Sequence, residues 1–263
     1  MADLELRQEG EVVWATMNRP DRLNALSRNL VTELREFFVG LYWRRDVRVV
    51  VLQGAGKAFC AGLDLKERGD PQAPRGIGAG LTRQREISEI VIAMRRCPQP
   101  IIACVTGAAA GGGFALALAS DVRLATPDVR MNAAFIRIGL SACDMGMSYF
   151  LPRLVGVSVA SELMLTGRFI NAQRALATGL VSEVVPDDQL EAAAQPYIDE
   201  MLLTSPIGLR LTKDGLQQAV DASSLQAAMA IENRNQTLCS TNPDALEGRK
   251  AFLEKRQPVF TGI

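Results

Sequence analysis

The sequence contains no histidine, and this absence excludes several kinds of active site before any motif is considered. Ser-His-Asp and Cys-His nucleophilic sites need an imidazole as general base, and many zinc sites need one as a ligand. Net charge is also absent, because 29 lysines and arginines balance 29 aspartates and glutamates. The sequence therefore gives no global electrostatic reason to expect a nucleic acid or an anionic membrane as a partner.

Cysteine is scarce, with five residues and no Cys-X-X-Cys pair. An odd number of separate cysteines, mostly in apolar surroundings, is typical of a reduced protein. The N-terminal sequence MADLELRQEG lacks the apolar stretch of a secretory signal peptide. We therefore expect a cytoplasmic protein without structural disulfides, and we predict no metal site.

Residues 97–120 carry no charge, which is long enough to consider a membrane span. Pro98, Pro100 and the three glycines at 111–113 interrupt this stretch, and its alanines add little transfer energy. We therefore predict a buried strand, a glycine turn and a buried helix, and no contact with a membrane.

The 263 residues suffice for one large domain, and strands alternate with helices over roughly the first 185. A helix is expected to begin near Ser27, which is a plausible N-cap. Gly69 to Gly80 hold four glycines and two prolines and are predicted to form a loop. After Pro186 only helices are predicted.

We therefore expect an α/β core at residues 1–195 and a helical C-terminal region at 196–263. Strands are predicted at residues 4–8, 12–17, 47–53, 101–105 and 121–125, and C-terminal helices at 190–203, 209–220, 225–238 and 245–254.

The segment GAGKAFCAGLDL at residues 54–65 follows a predicted buried strand. It is not a P-loop, because Val51 and Ala58 stand where that motif requires glycine and Ser or Thr. A glycine turn at the end of a strand is a common ligand site in α/β folds, although a purely structural turn is the alternative.

The segment GAAAGGGFAL at residues 107–116 also runs from a buried strand through glycines into a helix. Unpaired N–H groups and the positive end of the helix dipole meet at such a point, which favours an anion. A tight turn packed against a neighbour is the alternative. Together the two turns suggest two N–H groups directed at one oxygen, an oxyanion hole that needs no histidine.

The segments AFCAGLDLKE and AAAGGGFALALASD, with NRPDRLNALS before them and EGRKAFLEKRQPVF near the C-terminus, resemble the enoyl-CoA hydratase/isomerase (crotonase) superfamily. The resemblance implies an α/β fold, a spiral of ββα units with a C-terminal helical region that forms homotrimers or dimers of trimers. It implies an acyl-CoA thioester as substrate and no resident cofactor.

The resemblance also implies roles for individual residues. The oxyanion N–H groups would be those of Leu63 and Gly112. Phe252 and Lys255 would contact the coenzyme A of a neighbouring subunit. Arg22 and Lys255 could equally be solvated surface charges, and Leu63 a packing residue. The further residues expected to bind coenzyme A are Arg22, Leu23, Ala61, Asp64, Leu65 and Lys66.

The sequence departs from the family at the catalytic acids. Hydratases of the family carry two glutamates, at positions that correspond here to Ala115 and Phe135, which we assign to the acyl pocket. Neither side chain can accept a proton, so hydration by paired carboxylates looks unavailable. Asp144 is the remaining acid near the expected pocket, either as a proton-transfer group or as a helix N-cap. Ser141 and Cys143 are expected to be turn or packing residues.

Three functions remain open at this point. The first is an enzyme of the hydratase/isomerase type that forms a thioester enolate, in fatty-acid or related acyl-CoA metabolism. The second is a catalytically silent protein that binds long-chain acyl-CoA. The third is thioester hydrolysis or C–C cleavage on the same scaffold.

Overall fold

A computed structural model describes residues 2–68 and 76–262. Ten strands lie within these residues. The strands are β1 Leu4–Glu9, β2 Val12–Met17, β3 Val49–Gly54, β4 Ala58–Cys60, β5 Ile101–Val105, β6 Ala108–Ala110, β7 Val122–Ala125, β8 Arg130–Asn132, β9 Ile170–Asn171 and β10 Glu183–Val184.

Ten α-helices lie in the same described ranges. The Ser27 hydroxyl accepts a hydrogen bond from the N–H of Leu30 and caps α1, as the sequence predicts. The helices are α1 Arg28–Gly40, α2 Ile77–Arg96, α3 Gly112–Ala119, α4 Met147–Val155, α5 Val157–Thr166, α6 Ala172–Ala177, α7 Leu190–Leu202, α8 Pro206–Val220, α9 Leu225–Ser240 and α10 Pro243–Glu254.

The strands form two sheets. The larger has the order β1-β2-β3-β5-β7-β10, and the smaller has the order β4-β6-β8-β9. In the larger sheet β1 and β2 are antiparallel and the other neighbours are parallel. Strand β5 is buried along its whole length, which explains its uninterrupted apolar sequence.

Successive strands connect the two sheets in a spiral. Strand β3 leads through a short turn into β4, β5 leads into β6, and β7 leads into β8. Because β4, β6 and β8 pair in parallel, each ββ unit places its turn at the same edge of the larger sheet. The structure confirms the predicted α/β spiral and the helical C-terminal region.

Helix α7 packs on the larger sheet. Its Leu190, Ala194 and Ile198 are buried in one apolar cluster with Trp14 of β2 and Ile102 of β5. The helix crosses the predicted division between residues 195 and 196. This helix packs on the core. The boundary between a core at residues 1–195 and a C-terminal region at 196–263 stays a prediction.

The loop predicted for Gly69 to Gly80 is wrong at its C-terminal end, because α2 begins at Ile77. Gly78 and Gly80 lie in the first turns of α2, where each glycine costs only about 1 kcal/mol relative to alanine. Residues 69–75 lie outside the described residues. Residues 97–120 contain the predicted strand and helix, β5 and α3, together with the short strand β6 in the segment predicted as a turn. None of the described helices meets the length and hydropathy needed to cross a bilayer.

A buried lysine attaches α8 to the core. Lys213 is 5% exposed and donates hydrogen bonds to the carbonyl oxygens of Gln99 (2.7 Å) and Met94 (3.2 Å). Its ammonium also lies 2.9 Å from the carboxylate of Asp121, which Arg95 contacts at 3.0 Å. These contacts satisfy a charge that would otherwise be costly to bury.

We expect Lys213→Met to lower the free energy of unfolding by about 3 kcal/mol, because it removes a buried charge partner and two carbonyl contacts. Urea unfolding measures the change. Lys250→Met on the exposed face of α10 is the matched control and should alter stability by less than about 0.5 kcal/mol. Equal effects of the two substitutions would contradict this role of Lys213.

Candidate functional site

Residues 23–26 and residues 61–64 run side by side at the edge of the sheets where the spiral turns lie. The N–H of Ala61 donates to the carbonyl oxygen of Leu23 at 2.9 Å, and the N–H of Leu26 donates to that of Gly62 at 2.7 Å. The N–H of Asp64 donates to the carbonyl oxygen of Leu26 at 3.1 Å. These bonds hold the segment after β4 in one position.

The same pairing leaves the N–H of Leu63 without a partner. Leu26 and Leu63 form a parallel bridge in which Leu26 bonds to the residues on either side of Leu63. In such a bridge the N–H of the skipped residue points away from the partner strand. Within the described part of the chain no acceptor takes the N–H of Leu63.

A second free N–H lies at the start of α3. Gly112 is the first residue of this helix, so its N–H has no acceptor within the helix. The preceding Gly111 adopts φ +51° and ψ −115°, a conformation that favours glycine. Its own N–H donates to the carbonyl oxygen of Asn132 at 2.9 Å, which fixes the helix entrance to β8.

The two free N–H groups belong to backbone segments in close contact. A β-carbon at Gly62 would lie 2.7 Å from the carbonyl oxygen of Ala110 and 3.5 Å from the nitrogen of Gly112. A β-carbon at Gly113 would lie 2.0 Å from the carbonyl oxygen of Cys60. Only glycine permits this approach, and the resulting pair of donors suits a negatively charged oxygen.

Met145 packs against the same point. A β-carbon at Gly112 would lie 3.1 Å from the sulfur of Met145 and 2.8 Å from a methyl carbon of Leu26. Met145 is buried with φ +47°, which is unusual for a residue other than glycine, and Gly146 follows with φ +79°. Asp144 immediately precedes Met145 in this turn, so it is one residue away in the chain from the contact with the start of α3.

The carboxylate of Asp144 has one bonded oxygen and one free oxygen. Oδ1 accepts hydrogen bonds from the N–H of Met145 (2.7 Å) and from the side-chain amide of Gln84 on α2 (2.5 Å). Oδ2 has no partner among the described residues. Asp144 is not the N-cap of α4, because Gly146 occupies that position and no side chain caps the helix. The free oxygen is available to accept a proton.

Ala115 and Phe135 are both buried close to the entrance of α3. The Phe135 ring lies 3.4 Å from the position of a β-carbon at Gly111, and Ala115 is fully buried on α3. A separate cavity of about 1340 Å³ lies between α2, α4, α8 and α9. Met145 borders this cavity, whereas neither Ala115 nor Phe135 lines it. The acyl-pocket role of these two residues stays a prediction.

Sequence reasoning missed Arg19 as an organising residue. Its guanidinium contacts the carboxylates of Asp64 (3.0 Å), Glu67 (3.3 Å) and Asp3 (3.5 Å). Burial acts to raise the pKa of Asp64, but hydrogen bonds from Arg19 and the N–H of Lys66 and the charges of Arg19 and Arg22 lower it below its usual value. Asp64 is therefore an ion-paired residue of the site framework.

The residues expected to bind coenzyme A divide into two groups. Arg22, Leu23, Leu65 and Lys66 are exposed around the paired segments, and Ala61 is half-buried between them. Leu23 adopts φ +50° at the end of the short 3-10 helix Pro20–Arg22. The second group lies elsewhere, on the surface at the end of α10: Phe252 is 83% exposed, and Lys255 ends that helix with φ +53°.

Asn24 is a second residue that the sequence analysis missed. Its side chain is fully buried and donates to the carbonyl oxygens of Ala55 (2.9 Å) and Ala58 (2.7 Å). It also accepts a hydrogen bond from the N–H of Arg19 at 2.9 Å. The signal available in the sequence was the residue type, because asparagine adopts positive φ more readily than most residues and can bond to nearby backbone. In the structure Asn24 has φ +55° and follows the left-handed Leu23.

The cysteines near the sheets are not reactive groups. Burial raises the pKa of the Cys60 and Cys104 thiols to about 12. Ser141 accepts a hydrogen bond from the N–H of Cys143 at 3.1 Å, as expected of turn residues. In the described ranges no three acidic or cysteine side chains come together as a metal site.

Comparison with known proteins identifies a family and several relatives. The model of the family described as "Enoyl-CoA hydratase/isomerase" matches residues 7–262. A Mycobacterium tuberculosis protein named "Probable enoyl-CoA hydratase EchA12" is 39% identical over 257 residues, which cover 95% of this chain and 90% of that protein. The 1,2-epoxyphenylacetyl-CoA isomerase of Escherichia coli is 34% identical, with 97% and 96% of the two chains covered.

Solved structures agree over the whole fold. The crystal structure of enoyl-CoA hydratase from Bacillus anthracis superposes with a TM-score of 0.93 at 34% identity. The match covers 99% of this chain and 100% of that chain.

We expect Asn24→Ala to lower the free energy of unfolding by about 2 to 3 kcal/mol, because the carbonyl oxygens of the buried Ala58 and the half-buried Ala55 lose their donor and alanine is strained at positive φ. Asn29→Ala is the matched control, since among the described residues the exposed Asn29 amide donates only to Glu33 on the same helix. Urea denaturation compares the two variants. An equally small effect of both would show that Asn24 does not hold the turn.

Proposed function

Since this chain belongs to the enoyl-CoA hydratase/isomerase family, the crotonase superfamily, we propose that it converts acyl-CoA thioesters through an enolate held by its own backbone. One observation carries the proposal. The unpaired N–H groups of Leu63 and Gly112 belong to segments in contact, and the turn that bears Asp144 packs on Gly112. The N–H donors for an oxyanion therefore lie close to the turn that carries the proposed proton acceptor.

The two N–H groups would bind the thioester carbonyl oxygen. When a proton leaves the carbon next to the carbonyl, electron density moves onto this oxygen, and fixed donors stabilise the enolate more than the neutral thioester. The N-terminal end of the α3 dipole adds to this effect. Such preorganised donors typically contribute about 3 to 4 kcal/mol each to the transition state.

Asp144 would transfer the proton. Its free Oδ2 takes the proton from the substrate carbon, and the carboxylic acid then returns it to the same carbon or to a carbon further along the chain. The first outcome gives isotope exchange when the acid proton of Asp144 has exchanged with solvent before its return, and the second is migration of the double bond. Both outcomes conserve atoms and consume no oxidant, reductant or water.

Hydration makes a further demand, because a water molecule must be oriented and deprotonated. Ala115 and Phe135 at the expected glutamate positions offer no acceptor for this water. The residues therefore favour isomerisation or exchange over hydration.

The remaining parts of the site would bind the rest of the substrate. Arg22 and Lys66 offer exposed positive charges beside the paired segments for the coenzyme A phosphates. The cavity next to Met145 gives room for an acyl chain and is lined by apolar side chains that include Val91, Phe150 and Ile231.

Exposed apolar side chains on α8 to α10 support assembly into a homotrimer or a dimer of trimers. Leu216, Leu225, Leu246 and Phe252 are examples. In that assembly Phe252 and Lys255 would contact the coenzyme A of a neighbouring subunit. We place the reaction in cytoplasmic acyl-CoA metabolism, such as that of fatty acids.

The alternative function is a binding protein that keeps the acyl-CoA site without chemistry. The apolar side chains of Ala115 and Phe135 favour this alternative, whereas the free carboxylate oxygen of Asp144 favours the enzyme.

We expect the protein to incorporate deuterium into an enoyl-CoA or acyl-CoA substrate in heavy water, or to move its double bond. Asp144→Asn should lower this rate by about 100-fold or more, because it removes the proton acceptor. Mass spectrometry and proton NMR of a panel of thioesters measure both outcomes.

Asp188→Asn, at an exposed turn outside the site, is the control for this experiment and should leave the rate unchanged. Binding of a long-chain thioester without exchange across the panel would contradict the enzyme and establish the binding protein. An unchanged rate in Asp144→Asn would refute the assignment of Asp144.

Gln84 is expected to position Asp144 through their 2.5 Å hydrogen bond. Gln84→Leu should lower kcat by about tenfold with little change in KM, because one charged hydrogen bond is lost without loss of a substrate contact. Gln195→Leu removes an equivalent bond, to Asp199 at 2.6 Å on α7, and should leave both constants unchanged. A change confined to KM would place Gln84 in substrate binding instead.

A further inference from the structure

A second concave surface, which we call the arginine cleft, lies between the end of α1 and the face of α8. It has a volume of about 600 Å³. Its walls include Tyr42, Trp43, Arg45, Arg96 and Arg210. This volume is in the range of small-molecule sites.

The arginine cleft carries positive charge that the described part of the chain does not neutralise. The side chains of Arg45 and Arg210 form no ion pair or hydrogen bond within the described ranges. Arg96 has only a long contact of 3.7 Å with Glu89. The acid on the cleft wall, Asp214, lies 3.6 Å from Arg234. A chain with no net charge has therefore gathered four arginines at one cavity, of which Arg95 is ion-paired with Asp121.

The two central arginines also repel each other. Arg210 is half-buried, and burial together with the charge of Arg45 lowers its pKa. Partial burial and repulsion from Arg45 therefore both disfavour the charged form of Arg210. A bound anion would offset both effects, and planar guanidinium groups are suited to the oxygens of a phosphate.

Two aromatic rings stand beside the arginines. Tyr42 and Trp43 form an edge-to-face pair with ring centroids 4.9 Å apart, and Trp43 is 79% exposed. A large aromatic ring exposed to this degree next to positive charge offers a surface on which a flat base can stack.

The arginine cleft lies at the N-terminal ends of strands in the larger sheet, whereas the candidate active site lies beyond their C-terminal ends. Arg45 precedes the start of β3 and Pro98 precedes the start of β5. The turns that carry Leu63 and Gly112 follow β4 and β6, the strands that come directly after β3 and β5 in the chain. Leu63 and Gly112 do not line the arginine cleft, although Arg95, Lys213 and Gln217 line both this cleft and the larger cavity beside Met145.

We propose that the arginine cleft binds an adenosine phosphate, with the phosphate on Arg45, Arg96 and Arg210 and the base stacked on Trp43. The ligand is either a free adenine nucleotide or the adenosine phosphate portion of a second coenzyme A molecule. Both sources share a flat base joined to a phosphate.

Fluorescence tests the proposal directly, because the chain has two tryptophans and the other, Trp14, is buried. The intact protein is titrated with ADP, with coenzyme A, and with adenosine or inorganic phosphate alone. ADP should quench the emission of Trp43, and this change should be absent in Trp43→Phe. Arg45→Ala and Arg210→Ala should each weaken binding by about tenfold or more, since each removes a charged contact.

Arg35→Ala, a half-buried arginine of α1 outside the cleft, is the control and should bind ADP normally. Circular dichroism checks that all variants fold. If a second molecule of coenzyme A binds to each chain and Arg45→Ala removes this binding, coenzyme A is the source. If ADP binds and no second coenzyme A does, the source is the free nucleotide. No binding at millimolar ADP, or binding that Arg45→Ala and Arg210→Ala leave unchanged, overturns the proposal. A change in sedimentation of these two variants without a change in ADP binding overturns it as well and makes the cleft an interface between copies.

Discussion

The close approach of two backbone segments is the constraint on which the proposed chemistry depends. The start of α3 lies so near the chain around Cys60 that no side chain fits at Gly113, and Gly62 is restricted in the same way by Ala110. Burial of Phe59 and Phe114 on either side keeps the segments together. Catalytic donors that are fixed by core packing need no reorganisation when charge develops on the substrate.

The same packing couples these N–H groups to Asp144, the proposed proton acceptor. Met145 extends its side chain to Gly112 while its N–H bonds to the carboxylate of Asp144. A movement of α3 would therefore displace Asp144, and the Gln84 contact from α2 restrains the carboxylate from the other side. Precision of this kind matters because misplacement by about 1 Å can cost two orders of magnitude in rate.

The sequence predicted much of the fold, because its strongest signals are local. The uniform apolar run of β5 and the Ser27 cap of α1 were sufficient for those elements. The start of α2 was missed because glycines near Ile77 indicate a loop when their own neighbours alone are considered. Arg19 and Asn24 were missed because their partners, such as Asp64 and Ala58, lie more than 30 positions away. Glycine motifs indicated the two turns, but their contact depends on the spiral that brings β4 and β6 together.

The central claim is that two backbone N–H groups polarise the substrate carbonyl. Isotope-edited infrared spectroscopy of an acyl-CoA labelled with ¹³C at the thioester carbonyl measures this polarisation in the bound state, and Asp144→Asn protein prevents turnover during the measurement. Our account predicts that the carbonyl stretch moves to lower frequency on binding, because hydrogen bonds from Leu63 and Gly112 weaken the C=O bond. A bound carbonyl with the same frequency as in water would contradict the account.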